Sequence, residues 1–305
     1  MEVIITNPVF ITSLENIFNS FIINICTSIF MVLLFCLPQN DLAAQDLHYS
    51  QFYNSPINVS PALTGIFNGD ERFTASLRDQ WRSVPVPWFT ISGSYDRKFY
   101  PRKSKKGFFG GGLLFNYDKQ GDSNLALVNI NVSGSYTRLL NEKNLITLGG
   151  MIGFANRGFD PEGLTWDKQW ENNAFNPGAP SGEPTVFESF NFLETSAGLN
   201  YRWQESERTH LDIGLGVFHL NTPGSQFGGF VDESLPMRYS IYGILSLKLT
   251  EDMDLQVDAL HQRQRTYREL LFGGYLNFYL NQQRGKETQF RVGMGYRTSN
   301  AIFPK

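Results

Sequence analysis

HLDIGLGVF, residues 210–218, sets Leu211, Ile213, Leu215 and Val217 against His210, Asp212, Gly214 and Gly216. Successive side chains of a strand point to opposite faces, so this stretch has one apolar face and one that is polar or bare. The same alternation recurs on both sides of it. In 238–249 (RYSIYGILSLKL), Tyr239, Ile241, Leu245, Leu247 and Leu249 oppose Arg238, Ser240, Ser246 and Lys248. In 289–296, Phe290, Val292, Met294 and Tyr296 oppose Gln289, Arg291, Gly293 and Gly295; earlier, Ala126, Val128, Ile130 and Val132 oppose Asn129, Asn131, Ser133 and Ser135. Alternation sustained over roughly ten residues, with aromatics near segment ends, fits strands that cross a bilayer at a tilt with their rings at headgroup level. A soluble sandwich alternates too, but its strands usually run about five or six residues. Closing the sheet is how strands satisfy their backbone groups in lipid. The expected fold is therefore all-β, a transmembrane outer-membrane β-barrel.

About eleven strands are predicted, near 71–81, 89–99, 107–119, 124–140, 144–156, 188–203, 209–220, 237–249, 253–263, 268–280 and 288–298. Their connections fall alternately into two classes. Short, charged ones (100–106 YPRKSKK, 141–144 NEKN, 204–207, 250–252, 281–287 NQQRGKE) suit periplasmic turns. Longer ones rich in Pro, Gly and aromatics (82–88, 157–187, 221–236) suit the outer surface, where barrel loops carry recognition. Eleven is odd, whereas bacterial single-chain barrels generally have an even count, and no closing aromatic follows the last strand, so a C-terminal truncation is expected.

Residues 1–44 read as a secretory signal peptide: an apolar run from Phe21 to Leu37, then Leu42-Ala43-Ala44 before Gln45, although no basic n-region precedes it. A wrongly assigned start or a retained membrane anchor are the rival readings. Cys26 and Cys36 both lie here, so a chain processed at Gln45 has no cysteine and no disulfide or thiol chemistry. Residues 45–70 form a pre-barrel segment and 71–305 the barrel. Residues 1–44 contain Glu2, Glu15 and Asp41 and no Lys or Arg, which leaves the 26 basic side chains of the remainder balanced by as many acidic ones. A balanced surface argues against nucleic acid, which needs a basic patch or stripe.

No motif for catalysis, cofactor or metal stands out. His48, His210, His219 and His261 have no metal-ligand spacing and read as polar lumen residues. Ser240, His210, Asp212 and Asp258 are the members of a hydrolase site worth testing for convergence, although nothing in their spacing requires it. Gly110-Gly111-Gly112 lies within a strand, opens no helix and suits barrel bending or close packing, not phosphate binding.

Taken in order, QDLHYSQFYNSPINVSPAL (45–63), SLRDQW (76–81), PVPWFTISGSYD (85–96), GFDPEGLTWDKQW (158–170), GLGVFHLNTPGSQF (214–227) and LPMRYSIYG (235–243) resemble the PorP/SprF family of type IX secretion outer-membrane proteins. The resemblance runs from about residue 45 to 305 and implies roughly three further strands after 296–304, a barrel of about fourteen. It implies an outer-membrane location and a non-enzymatic role in secreting or anchoring exported proteins such as adhesins. The implied partners are periplasmic and lipoprotein components of the same machine, the exported surface cargo and the lipid bilayer. A passive solute porin, its lumen lined by Asn129, Asn131, Arg202 and Arg291, is the alternative, and a membrane hydrolase the third reading.

Candidate contact residues are aromatic. Phe159, Trp166, Trp170 and Phe175 sit among four prolines in the loop 157–187, where large rings on a stiffened loop make good anchors, or else fold inward as a cap. Trp81 and Trp88 flank the Pro85–Pro87 loop and also suit the interfacial belt. Tyr49, Phe52 and Tyr53 belong to the segment 45–67, which is too apolar for a solvated tail and is expected to pack in the lumen or at the periplasmic mouth as a plug or docking strip.

Overall fold

The structure, a computed structural model, describes residues 47, 49–80, 87–102, 106–121, 125–159, 164–171, 173–182, 188–225, 233–283, 286, 288–298 and 301–304. The strands are β1 (Glu71–Gln80), β2 (Trp88–Phe99), β3 (Gly107–Gln120), β4 (Leu125–Leu139), β5 (Asn144–Phe159), β6 (Trp170–Glu171), β7 (Ala174–Phe175), β8 (Glu188–Gln204), β9 (His210–Phe218), β10 (Gly224–Ser225), β11 (Glu233–Ser234), β12 (Arg238–Lys248), β13 (Met253–Gln264), β14 (Tyr267–Asn281), β15 (Thr288–Arg297) and β16 (Ala301–Pro304). Twelve of them form one sheet in the order β1-β2-β3-β4-β5-β8-β9-β12-β13-β14-β15-β16, each antiparallel to its neighbours in sequence. The pairs β6–β7 and β10–β11 are small hairpin ladders inside the two long connections.

The eleven long strands match the predicted spans within a few residues. A short further strand, Ala301–Pro304, pairs with β15 and brings the sheet to twelve. Four residues are too few for alternation to register as a strand. No ladder joins β1 to β16 among the described residues.

The long strands run from nine residues in β9 to seventeen in β8, ample for a tilted crossing. Their outer face is apolar and exposed: Phe73, Leu148 and Met294 are 76%, 65% and 70% accessible, and Leu77, Leu113, Ile130, Val132, Ile152, Leu193, Ile241 and Val292 point the same way. A contiguous apolar surface of this extent has no place in water and matches the lipid-facing band of a barrel. The inner face is polar yet buried, with Asp96, Asn131, Thr137, Thr147, Asn200 and Ser240 at 0% accessibility. Part of this face is covered by residues 49–67, which bond Ser92, Asp96, Asn116, Ser133 and Ser135.

Candidate functional site

The segment Tyr49–Phe67 lies against the inner face of the sheet. It is folded into short turns: a 3-10 turn Phe52–Asn54, one α-helical turn Pro56–Val59, and a 3-10 turn Pro61–Leu63. Pro56 and Pro61 occupy first helical positions, where the missing N–H costs nothing and the fixed φ suits the turn. Ser60 caps the second proline turn by accepting from the Ala62 N–H. Gly65 then takes φ +77°, a conformation that favours glycine.

The sheet supplies a track for this segment. Gly110, Ser135, Gly149, Gly198, Gly216 and Ser240 are consecutive register partners across β3, β4, β5, β8, β9 and β12, all on the inner face. A Cβ on Gly149 would fall on the backbone of Pro61 and Ala62, one on Gly198 on Ser60, one on Gly216 on the Val59 carbonyl, and one on Gly110 on the Thr64 carbonyl. Residues 59–65 therefore cross these strands with backbone in close approach at the four glycines, where a side chain would not fit. The two serines of the row are small enough to fit, and Ser135 donates to the Thr64 carbonyl at 2.6 Å. Thr64 also pairs with the Ser133 hydroxyl at 2.6 Å, and Ser60 donates to the Leu215 carbonyl at 3.0 Å.

Arginines and amides pin the rest. Arg72 binds Asp96 at 2.8 Å and donates to the carbonyls of Leu63 and Ile66, while the Gly65 N–H donates to the same Asp96 carboxylate at 2.7 Å. Arg238 donates to the carbonyls of Leu47 (2.9 Å) and Asn58 (3.2 Å), and Arg297 to the Ser50 hydroxyl (2.9 Å). The Asn58 amide donates to Ser92 and exchanges hydrogen bonds with Asn116, which donates onward to Asn129, and Asn129 to Glu194. Apolar side chains fill what remains. Phe52, Val59, Leu63 and Ile66 pack with Tyr242, Leu260 and Leu271, and Ile57 with Leu114, Met151 and Phe218. Fully burying one such side chain is worth roughly 1.5–3 kcal/mol.

A family model described as "Type IX secretion system membrane protein PorP/SprF" matches residues 41–304. The chain belongs to the PorP/SprF family. It is an outer-membrane β-barrel and a component of the type IX secretion system. No curated protein is significantly similar to it in sequence. Among solved structures it is similar to the translocator domain of the autotransporter NalP from Neisseria meningitidis (TM-score 0.45, 11% identity, covering 81% of this chain and 90% of that one). It is also similar to a FadL homologue from Pseudomonas aeruginosa (TM-score 0.42, 10% identity, 78% of this chain and 68% of that one). A third similar structure is the β domain of the Bordetella autotransporter BrkA (TM-score 0.41, 11% identity, 77% of this chain and 94% of that one).

Of the aromatic candidates in this PorP/SprF chain, three lie inside it. Phe52 is 1% accessible, Tyr49 is buried, and the Tyr53 ring packs at a tilt, 5.2 Å between centroids, against Tyr275 of β14. In the long loop, Trp170 and Phe175 face each other across the β6–β7 ladder and are 63% and 41% accessible. The base of that hairpin is internally held: Gln169 is buried and donates to the Ala179 carbonyl, and its side-chain oxygen accepts from the Trp166 N–H. Trp166 is half-buried, Trp88 opens β2 with the Arg78 guanidinium 5.9 Å from its ring, and Phe159 closes β5. Trp81 and the Phe159 side chain lie outside the described residues, as do His48 and residues 1–44, expected to be a signal peptide.

The hydrolase candidates are not brought together. His210 pairs in register with Ser246 and Ser240 with Gly216, six residues further along each strand, which separates His210 from Ser240 by about 20 Å at the rise of a strand. Asp212 is held by Arg202 at 2.6 Å and by Asn200, and Ser240 accepts from Gln262.

The charged turns are tied to one another. Lys143 reaches Glu205 at 2.7 Å; Arg208 binds Asp254 and donates to the carbonyls of Thr250 and Glu251; Gln282 donates to the Glu251 carbonyl and to Asp252. Four successive turns thereby form one surface. The exposed Lys143–Glu205 pair adds only about 0.2–1 kcal/mol, so its effect is chiefly to fix positions, whereas the Asp254 carboxylate bound by Arg208 is buried. Beside them a cleft of about 260 Å³, lined by Phe67, Lys98, Tyr100, Phe108, Arg202 and Glu207, opens where the lumenal segment leaves the barrel. Burial, together with the Asp70 carboxylate, raises the Tyr100 phenol above its ordinary value.

Proposed function

We propose that this protein works as a plugged outer-membrane scaffold of the type IX system, supporting secretion or surface anchoring of exported proteins such as adhesins, not as a conduit for them. The observation behind this reading is the glycine track. Glycines on four strands leave positions without side chains where the segment 59–65 crosses, which supports reading the segment as a built part of the barrel interior. A plug of this kind leaves recognition to the two ends. The linked charged turns are the face offered to periplasmic and lipoprotein components, and the exposed Trp170–Phe175 hairpin is the face offered to cargo. Nothing in this role calls for a catalytic group.

The test compares surface and culture-fluid proteomes of cells with and without the gene, together with planar-bilayer conductance of the purified barrel. Loss of one or a few large secreted proteins, restored by complementation, with no conductance above background, is the expected result. Unchanged export with a steady open-channel current would replace the scaffold by a solute porin.

A further inference from the structure

The two ends of the lumenal segment touch opposite ends of the strands. At Leu47 and Ser50 the partners are Arg238, the first residue of β12 after a long loop, and Arg297, the last residue of β15. At Phe67 and Asn68 the partners are Lys98, next to the last residue of β2, and the Glu207 carbonyl in the turn between β8 and β9. Between these contacts the chain descends past Ser92 and Asn116 to the glycine track and then to Arg72 at the start of β1. It thus crosses the interior once, from the long-loop end to the short-turn end.

From this path we infer that the segment is threaded with its leading end outward, so that Leu47 and Ser50 lie at the outer surface among the long loops. This rests on the orientation used in the proposed function, with short charged turns in the periplasm. It places the Leu47 end of the segment at the outer face, beside Arg238 and Arg297. It also sets an order of assembly. The leading end crosses the membrane before or while the strands close around it, because a backbone clamped by Arg72, Arg238 and Arg297 and pressed on bare glycines cannot be fed through the finished barrel.

The chain lends itself to a clean test, since its two cysteines, Cys26 and Cys36, both precede Gln45. In a background with both changed to serine, single cysteines are placed at exposed positions: Q51C near the leading end, N68C at the trailing end, N176C in the long loop and E142C in a short turn. Intact cells are treated with a maleimide too large to cross the outer membrane, and then again after permeabilisation. A second readout is antibody binding to an epitope inserted between Asp46 and Leu47. Expected are labelling of N176C and Q51C and binding of the epitope on intact cells, with N68C and E142C labelled only after permeabilisation. If N176C labels and E142C does not, yet Q51C and the epitope are silent on intact cells, the threading is overturned while the barrel orientation stands. If E142C labels on intact cells and N176C does not, the orientation fails and the inference with it.

Discussion

Gly149 and Gly150 are neighbours on β5 with opposite duties. Gly149 faces inward, where a Cβ would meet the backbone of Pro61 and Ala62; Gly150 faces outward, where the nearest atom to a Cβ is the Ser196 carbonyl oxygen at 3.9 Å. Valine is a good strand residue wherever it fits, so the two sites separate the space requirement from strand propensity. Gly149→Val is expected to destabilise the barrel by about 1–3 kcal/mol, the usual cost of forcing extra atoms into a packed interior, or to expel the segment and raise bilayer conductance. Gly150→Val is expected to be neutral or slightly stabilising. Denaturant titration of the two refolded variants in vesicles, with conductance traces from the same preparations, decides it; equal losses would mean that the inner track carries no special constraint.

The strands were legible in the sequence because their two faces meet different solvents, and the contrast repeats at every second residue. Their ends were legible within a few residues for the same reason, since alternation stops where the chain leaves the bilayer. The glycine track was not. Gly110, Gly149, Gly198 and Gly216 are far apart in sequence, and their alignment exists only through the pairing register, which composition does not reveal. Arg72 with Asp96, and Arg238, were hidden likewise, because a charged residue on the polar face of a strand reads the same whether it meets water or a peptide carbonyl. Aromatic content alone grouped Tyr49, Phe52 and Tyr53 with Trp170 and Phe175 as contact residues, whereas burial parts them: the first two are inside and the last two are exposed. At the level of the β6–β7 hairpin this difference is testable. Trp170→Ala combined with Phe175→Ala removes two exposed rings whose ladder partners are each other, so barrel stability is expected to stay within about 0.5 kcal/mol of the parent. Retention of the exported protein on the cell surface, measured by fractionation, is expected to fall. Undiminished retention would take this hairpin out of cargo contact, and a large stability loss would show that the rings cap the barrel instead.

For the molecule as a whole, the inner wall and the segment 47–67 form one packed body in which buried polar groups find partners across the interface. Asp96 has Arg72 and the Gly65 N–H, Asn116 has Asn58, and Arg238 has two carbonyls of the segment. Removing the segment exposes those groups to water in place of leaving them orphaned in a dry core, so the loss of their hydrogen bonds is partly offset by hydration. The apolar contacts of Phe52, Ile57, Val59, Leu63 and Ile66 are not recovered in that way, because Leu114, Tyr242, Leu260 and Leu271 are then wetted. Excision of residues 47–67 is therefore expected to leave strands that still insert, since lipid-facing residues and backbone ladders are untouched, but with a lower unfolding midpoint and a measurable ion current. Export should separate from conductance in this variant. If the segment only seals and stiffens the barrel, secretion continues at a reduced level that tracks the amount of barrel in the membrane. A fall in secretion to zero with normal barrel abundance would assign the segment a direct part in handling the cargo or the machine. Quantifying the barrel in outer-membrane fractions alongside the secreted protein distinguishes the two, and an excised barrel that remained both fully stable and non-conducting would contradict the packing described for the interior.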